Sequence, residues 1–198
     1  MSIDRPYVVV GAGVAGCVAA RTLADGGRQV VVFEAGPGPG RPDELDRLDH
    51  LATAEADAWW FDDAPRRGRG SGGGSAVNGM VLDLIDPLDV SRWGWDDGAE
   101  LERWVLDRWP HDVVTPGAFT EAFGQIASLG FPRTTPTAAS SAKGWRPLSL
   151  GWRDGRRRSA ADVFLGDDPS EHGIEVRYDA SVDRMDAVGD AAPSVVLS

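Results

Sequence analysis

Two glycine-bearing stretches hold the residues whose types and spacing could do chemistry. Gly11-Ala12-Gly13-Val14-Ala15-Gly16 has the spacing G-x-G-x-x-G, and Glu34 follows Gly16 by 18 residues. In such a pattern the first glycine permits a tight turn, the second lets backbone approach a pyrophosphate, and the third lets a helix pack closely on a strand. N–H groups at the helix start add donors and a partial positive charge. A carboxylate at Glu34 can accept hydrogen bonds from a ribose diol and would repel a 2′-phosphate. The pattern does not by itself choose between NAD and FAD. The second stretch, Gly68–Met80, reads GRGSGGGSAVNGM. Gly/Ser-rich chain is commonly a flexible spacer, yet Gly72–Gly74 runs straight into Ser75–Val81, an apolar or helix-like segment, rather than into the start of a new domain. Glycines placed there let backbone approach a flat or phosphorylated ligand.

These residues need elements to hold them. Tyr7–Val10 is a short β-branched run that stops at Gly11, as a buried parallel strand does. Val14–Leu23 predicts a helix of small side chains, with Gly26–Gly27 as its left-handed exit, and Val30–Phe33 predicts a second buried strand ending at Glu34. Strand, glycine turn, helix and strand make a βαβ unit with a right-handed crossover. That context favours a dinucleotide turn over a glycine-rich turn of some other α/β protein. Beyond it, Asp43–Ala54 predicts a short surface helix or ordered arm. Leu101, Trp104, Val105 and Arg108 lie at helical spacing before Pro110. A further helix is expected from Thr115 as N-cap and Pro116 at the first position, through Phe119, Phe123, Ile126 and Leu129, to Gly130. Asp154–Gly155 predicts a hairpin turn, and Ser159 a cap for a short helix through Leu165. The tail, Ile174–Tyr178, Val182–Met185 and Val195–Leu197, alternates like strands and predicts a β-meander. No internal repeat or interdomain linker is visible.

Composition narrows the function. The chain has 198 residues, 42% hydrophobic and 26% charged, enough for one domain with a core or a large piece of a bigger one. A net charge of −11 argues against binding a nucleic-acid backbone or an anionic membrane. Cys17 is the sole cysteine, so neither an intramolecular disulfide nor a cysteine metal cage can form, which fits a reducing compartment. The start lacks the basic and apolar regions of a signal peptide, and no apolar run approaches the roughly 20 residues of a membrane helix. A cytoplasmic protein without a membrane span is expected. No metal site and no catalytic constellation stand out. His50, His111 and His172 are scattered and read as surface residues, Asp62–Asp63 and Asp167–Asp168 as solvated loop charge, Arg156–Arg158 as a solvated turn, and Cys17 as a small buried residue.

The combination resembles the glucose–methanol–choline (GMC) family of flavin-dependent alcohol oxidoreductases. The likeness rests on Gly11–Gly16, on Glu34-Ala35-Gly36, and on Arg69–Met80 against the family pattern R-x-x-G-G-S/G-S-x-x-N-G-M. It extends to Asp89–Trp95, Ala122–Pro132 and Asp154–Leu165, and so over nearly the whole chain. The resemblance implies an α/β fold, a Rossmann-type FAD-binding core with helical insertions and the C-terminal meander, incomplete relative to the family. It implies that residues 1–198 form one FAD-binding region. Gly11, Gly13 and Gly16, with Ala15, would face the FAD pyrophosphate, and Glu34 with Ala35 the adenosine ribose. Gly74, Asn78, Gly79, Met80 and Val81 would lie along the pyrophosphate, ribityl and isoalloxazine groups, and the Val182 backbone would meet adenine. Val77 stands where some relatives attach flavin covalently through histidine, so noncovalent FAD is implied. Family members are much longer, and their C-terminal half brings the substrate domain and a catalytic histidine. A second chain carrying that half is therefore an expected partner, with an alcohol as substrate of the completed enzyme. A noncatalytic or decayed FAD-binding protein and an NAD-binding dehydrogenase are the other readings. The Gly74–Gly79 wording is similar to that of a mycofactocin-associated branch and does not choose an electron acceptor.

Overall fold

The computed structural model describes residues 5–47, 58–61, 67–83, 87–95, 98–114, 125–134, 144–186 and 194–198. It divides into two compact units, one of Met1–Gly79 with Gly155–Ser198 and the other of Met80–Asp154.

The first unit is built on β1 (Tyr7–Val10), α1 (Val14–Asp25) and β2 (Val30–Phe33), the βαβ unit that the glycine spacing predicts. Its sheet has three strands in the order β1-β2-β7, where β7 is Ile174–Arg177. Both pairings are parallel, Val8 opposite Val31 and Val32 opposite Val176. The four residues of β2, all apolar and three of them β-branched, take the central position, and Val30, Val32 and Phe33 are buried. On β1, by contrast, Tyr7, Val8 and Val10 stay about half exposed, because the outer edge of β1 carries no strand among the described residues. Cys17 and Ala20, three residues apart on α1, are buried. The helix ends at Asp25, and Gly27 supplies the left-handed exit at φ 75°.

The tail departs from the expected meander. β7 belongs to the parallel sheet, while β8 (Val182–Asp186) and β9 (Ser194–Leu197) form a separate antiparallel pair with an irregularity between Val182 and Arg184. Alternation marks these segments as strands but does not select their partners, and β7 finds the open edge of β2.

A second cluster joins Leu45, from the 3₁₀ turn Asp43–Asp46, to Trp59 and to Ala76 and Val77 of α2 (Gly74–Val77). The turn is the described part of the predicted arm, whose remainder lies outside the described residues. Ser159 caps the expected short helix. Its hydroxyl accepts from the Asp162 N–H at 3.3 Å while Asp162 Oδ2 accepts from the Ser159 N–H at 2.7 Å, a reciprocal box. The turn Ala161–Leu165 is π-helical, with the Gly166 N–H on the Ala161 carbonyl. A 3₁₀ turn, Pro169–His172, precedes β7.

The second unit contains α3 (Pro87–Arg92), α4 (Gly98–Arg108), β3 (Asp112–Val114) and β4 (Leu148–Leu150), the two strands being antiparallel with Val113 opposite Ser149. Val90 is buried where Gly98 passes, a Cβ there falling 3.2 Å from the valine. α4 is the helix predicted before Pro110. Of the helix expected from Thr115 to Gly130, the described part is helical at residues 125–128 and turns at Gly130 (φ 91°), while Thr115, Pro116, Phe119 and Phe123 lie outside the described residues. The short strands β5 (Trp152–Arg153) and β6 (Arg156–Arg157) flank Asp154 and Gly155, which both take the positive φ, 55° and 76°, of a tight hairpin turn. Among the described residues no helix is long and apolar enough to cross a membrane.

Candidate functional site

The first glycine turn and the second glycine stretch meet in the first unit. Gly11 has φ 91°, a conformation that a side chain would strain. Its N–H donates to the Phe33 carbonyl at 2.7 Å, which fixes the exit of β1 beside the end of β2. The Gly72 N–H donates to the Ala12 carbonyl at 2.9 Å, and a Cβ at Gly73 would stand 2.8 Å from Gly13 Cα. The approach is thus backbone against backbone, and only glycine allows it. Gly70, Gly72 and Gly73 all have positive φ. The Ser71 N–H is held by Pro37 and the Arg69 N–H by Trp59. The stretch is therefore a fixed loop and not a spacer.

Glu34 ties these parts together. It is buried at 5% exposure. Its Oε2 accepts from the Ala12 N–H at 2.7 Å, and its Oε1 from the Gly36 N–H at 2.9 Å and the Gly70 N–H at 2.8 Å. Arg69 adds a parallel tie, with Nε and one terminal nitrogen both donating to the Ala35 carbonyl. On the far side, the Asp179 N–H donates to the Gly36 carbonyl and the Ala180 N–H to the Glu34 carbonyl, each at 2.9 Å.

The glycines divide into those that pack and those that face open space. A Cβ at Gly16 would overlap the Gly11 carbonyl oxygen and lie 3.1 Å from its carbon, so Gly16 serves the helix-on-strand contact. At Gly11, Gly13, Gly74 and Gly79 a Cβ would meet nothing within 4 Å. Gly11 and Gly13 open on a cavity of about 370 Å³ whose walls include Glu34, Ala35, Phe61, Gly73 and Val182. The first amides of α1 have no partner within the helix. Gly13, the residue before it, has no side chain to cap them, and the first turn carries no acidic residue. Uncapped donors, a positive helix end and an open backbone surface suit an anionic group.

Of the residues singled out from the sequence, Gly11, Gly13, Glu34, Ala35 and Val182 line this one cavity. Ala15 is exposed on the first turn of α1. Gly74, Asn78 and Gly79 are exposed around α2 and do not line it. Met80 and Val81 belong to the second unit. Met80 is buried there with φ 61°, rare for a side-chain-bearing residue, and its carbonyl accepts from the Gly151 N–H, while Val81 bridges to Leu150. His111 and His172 are half-buried rather than surface residues, and His111 Nδ1 lies 2.8 Å from the Trp109 carbonyl. His50 and Asp62–Asp63 lie outside the described residues.

The same geometry brings in residues that the sequence reading passed over. Phe61, Ala180 and Ser181 line the cavity. Arg157, expected in a solvated turn, is only 1% exposed. Its Nε donates to the Leu45 carbonyl at 2.6 Å, and one terminal nitrogen donates to the Ser75 carbonyl at 3.0 Å and to Asn78 Oδ1 at 3.1 Å. Burial, with the nearby Arg41 cation second, pushes its pKa down to about 10, so the guanidinium stays charged at neutral pH. Cys17 also sits behind the turn, its thiol donating to the Ala12 carbonyl at 3.2 Å. Burial, followed by the Glu34 carboxylate, pushes that thiol up to about 12.

Comparison with known proteins agrees with this geometry. The family model of an NAD(P)-binding Rossmann-like domain matches residues 9–57. Pyridoxine 4-oxidase of Microbacterium luteolum is 30% identical over 79% of this chain and 38% of its own length. An oxygen-dependent choline dehydrogenase of Pseudomonas syringae pv. syringae is 27% identical over 97% of this chain and 41% of its own. The chain belongs to the glucose–methanol–choline family. It spans about two fifths of the length of these GMC relatives. Its fold is similar to that of an FAD-dependent oxidoreductase from Chaetomium thermophilum, at TM-score 0.77 and 14% identity over 98% of this chain and 44% of that one. The GMC pattern Gly-x-Arg-x-Ser falls here on Gly155, Arg157 and Ser159, the buried arginine and the capping serine.

Proposed function

We propose that this chain binds FAD noncovalently and forms the cofactor-binding region of a flavin-dependent alcohol oxidoreductase. The observation that supports the reading best is the cavity of about 370 Å³ on the open side of Gly11 and Gly13, walled by Glu34, Ala35 and Val182. The residues present fit a dinucleotide. Uncapped amides at the start of α1 suit the pyrophosphate, and Glu34, with three of its roughly four acceptor positions filled, retains one for a ribose hydroxyl. Val182, whose backbone is expected beside adenine, lines the same cavity with Ala180 and Ser181, which supports the reading. Val77, 2% exposed in the Leu45–Trp59 cluster, offers no nucleophile for a covalent flavin link. FAD, when bound, accepts hydride from a carbinol carbon. This chain's residues bind and orient it.

An absorbance spectrum of the purified chain from about 300 to 550 nm, before and after added FAD, tests the reading. Flavin bands that co-elute with protein and saturate are expected. A folded chain that takes up NAD and no flavin would refute it in favour of the nicotinamide ligand named by the Rossmann-like match.

A further inference from the structure

We propose that Arg157 is a positioning residue that locks the side-chain amide of Asn78 with its NH₂ end turned away from the guanidinium, so that Asn78 meets a ligand only as a hydrogen-bond donor. The part that concerns a ligand rests on the FAD reading proposed above. Arg157 is 1% exposed and Asn78 is exposed, so the contact runs from the interior to the surface. A guanidinium carries donors only. The Asn78 atom that faces it at 3.1 Å is therefore the oxygen, Oδ1, and the amide cannot turn over without losing this bond. The backbone of Asn78 is held as well, its N–H donating to the Gly74 carbonyl at 2.9 Å.

The guanidinium is itself a fixed reference. Its Nε donates to the Leu45 carbonyl at 2.6 Å, and the nitrogen that meets Asn78 also donates to the Ser75 carbonyl at 3.0 Å. The Arg157 carbonyl accepts from Arg41 at 3.0 Å, and the Ala160 N–H donates to Ser75 Oγ at 2.9 Å, which ties β6 and the segment after it to the same turn of α2. None of its acceptors among the described residues is a carboxylate, and its second terminal nitrogen, although buried, has no acceptor there. A buried cation paired in this way is costly as a packing element alone. Its bonds converge instead on the last turn of α2. At Gly74 and Gly79, before and after Asn78, a Cβ would meet nothing within 4 Å, so the backbone around the asparagine is open to a ligand. A carbonyl or phosphate oxygen of the cofactor suits an NH₂ donor, and a ligand N–H does not.

Asn78→Asp separates the two ends of the amide. It keeps an acceptor for Arg157 and removes the NH₂. In the ligand-free chain its urea midpoint should equal or exceed that of the natural chain, because a carboxylate oxygen beside a guanidinium makes a charge-assisted bond. A lower midpoint would overturn the contact. Fluorescence titration of the same variant should show FAD bound roughly tenfold more weakly. The loss should persist at about 0.5 M salt, where charge repulsion is screened. Unchanged affinity, or a loss that salt abolishes, would overturn the donor role. A double-mutant cycle tests whether the arginine acts through the asparagine. Arg157→Met should weaken FAD roughly fivefold or more in the natural background and less than about twofold in Asn78→Leu. Equal losses in both backgrounds would show that Arg157 acts on the fold at large and overturn its positioning role. Where Arg157→Met fails to fold, Asn78→Asp decides. A natural chain that binds no FAD refutes the cofactor reading, and the urea midpoint of Asn78→Asp then decides the Arg157–Asn78 contact alone.

Discussion

Alanine at Gly13 and alanine at Gly16 should have opposite effects, although the two glycines belong to one motif. Gly13 has φ −73° and ψ −175°, an extended conformation that alanine adopts freely, and its Cβ would meet nothing within 4 Å. Alanine gains about 0.4–1 kcal/mol by restricting the unfolded chain and loses a similar amount as the residue that opens a helix. The ligand-free stability of Gly13→Ala should therefore stay within about 0.5 kcal/mol of the natural chain. The added methyl stands in the space assigned to pyrophosphate. Displacing one or two charge-assisted hydrogen bonds costs about 2–4 kcal/mol, which weakens FAD binding roughly 30- to 1000-fold. At Gly16 the methyl overlaps the Gly11 carbonyl oxygen, which is backbone and cannot rotate away. The strain of overpacking is about 3 kcal/mol, or a fall in Tm of roughly 6–12 °C for a chain of this size. Thermal unfolding of the ligand-free proteins and fluorescence titration with FAD measure both effects. A Gly13→Ala protein that holds FAD as tightly as its parent would refute the phosphate assignment. A Gly16→Ala protein with unchanged Tm would refute the close contact.

Other substitutions probe the surrounding frame. Arg157→Lys cannot reach Leu45, Ser75 and Asn78 together, and should cost about 2–4 kcal/mol in urea unfolding; equal stability would show that the guanidinium fork is dispensable. Asn78→Leu leaves Arg157 its Ser75 partner, so it should destabilise the chain by no more than about 1.5 kcal/mol while weakening FAD roughly tenfold. Unchanged FAD affinity would remove Asn78 from the site. The Cys17 thiol, raised to about 12 in the folded chain, should resist alkylation at pH 8 and label only on unfolding. Because its folded pKa is the higher one, its contribution to stability is complete below pH 9 and is lost up to about pH 12. Cys17→Ala should flatten that alkaline decline by about 1.4 kcal/mol per pH unit, and parallel curves for both proteins would contradict the shift.

Much of this architecture could be read from residues close together in the chain. The β1–α1–β2 unit was legible because its signals are local: a β-branched run, glycines at fixed spacing and a double-glycine exit. The ordered nature of Gly68–Gly74 could be inferred from the apolar segment that follows it. What escaped depends on distant partners. Arg156–Arg158 looks like solvated charge, and only the carbonyls of Leu45 and Ser75, 112 and 82 residues away, make a buried fork of its middle residue. Glu34 was rightly placed at the end of β2, but its hydrogen bonds to the Ala12 and Gly70 N–H groups were not legible, because nothing near it in the chain announces the Gly70 N–H. The alternation of Ile174–Arg177 likewise carries no record of its parallel partner.

That partner has a bearing on when the cradle can form. Tyr7 pairs with Val30 across 23 residues, but Val30 pairs with Ile174 across 144. Closing the longer loop costs about 1.6 kcal/mol more in chain entropy, and such non-local parallel pairing slows folding. During synthesis at about 5–20 residues per second, β2 waits roughly 7–29 s for β7 to emerge. Until then the backbone of Glu34 lacks both the Arg177 carbonyl that accepts from its N–H and the Ala180 N–H that donates to its carbonyl. The glycine turn is translated within the first 16 residues, yet its wall at Ala180–Val182 is among the last parts of the first unit to be made. Folding of this chain is therefore timed by its C-terminal third, and a nucleotide arriving early would meet a turn with no opposite wall.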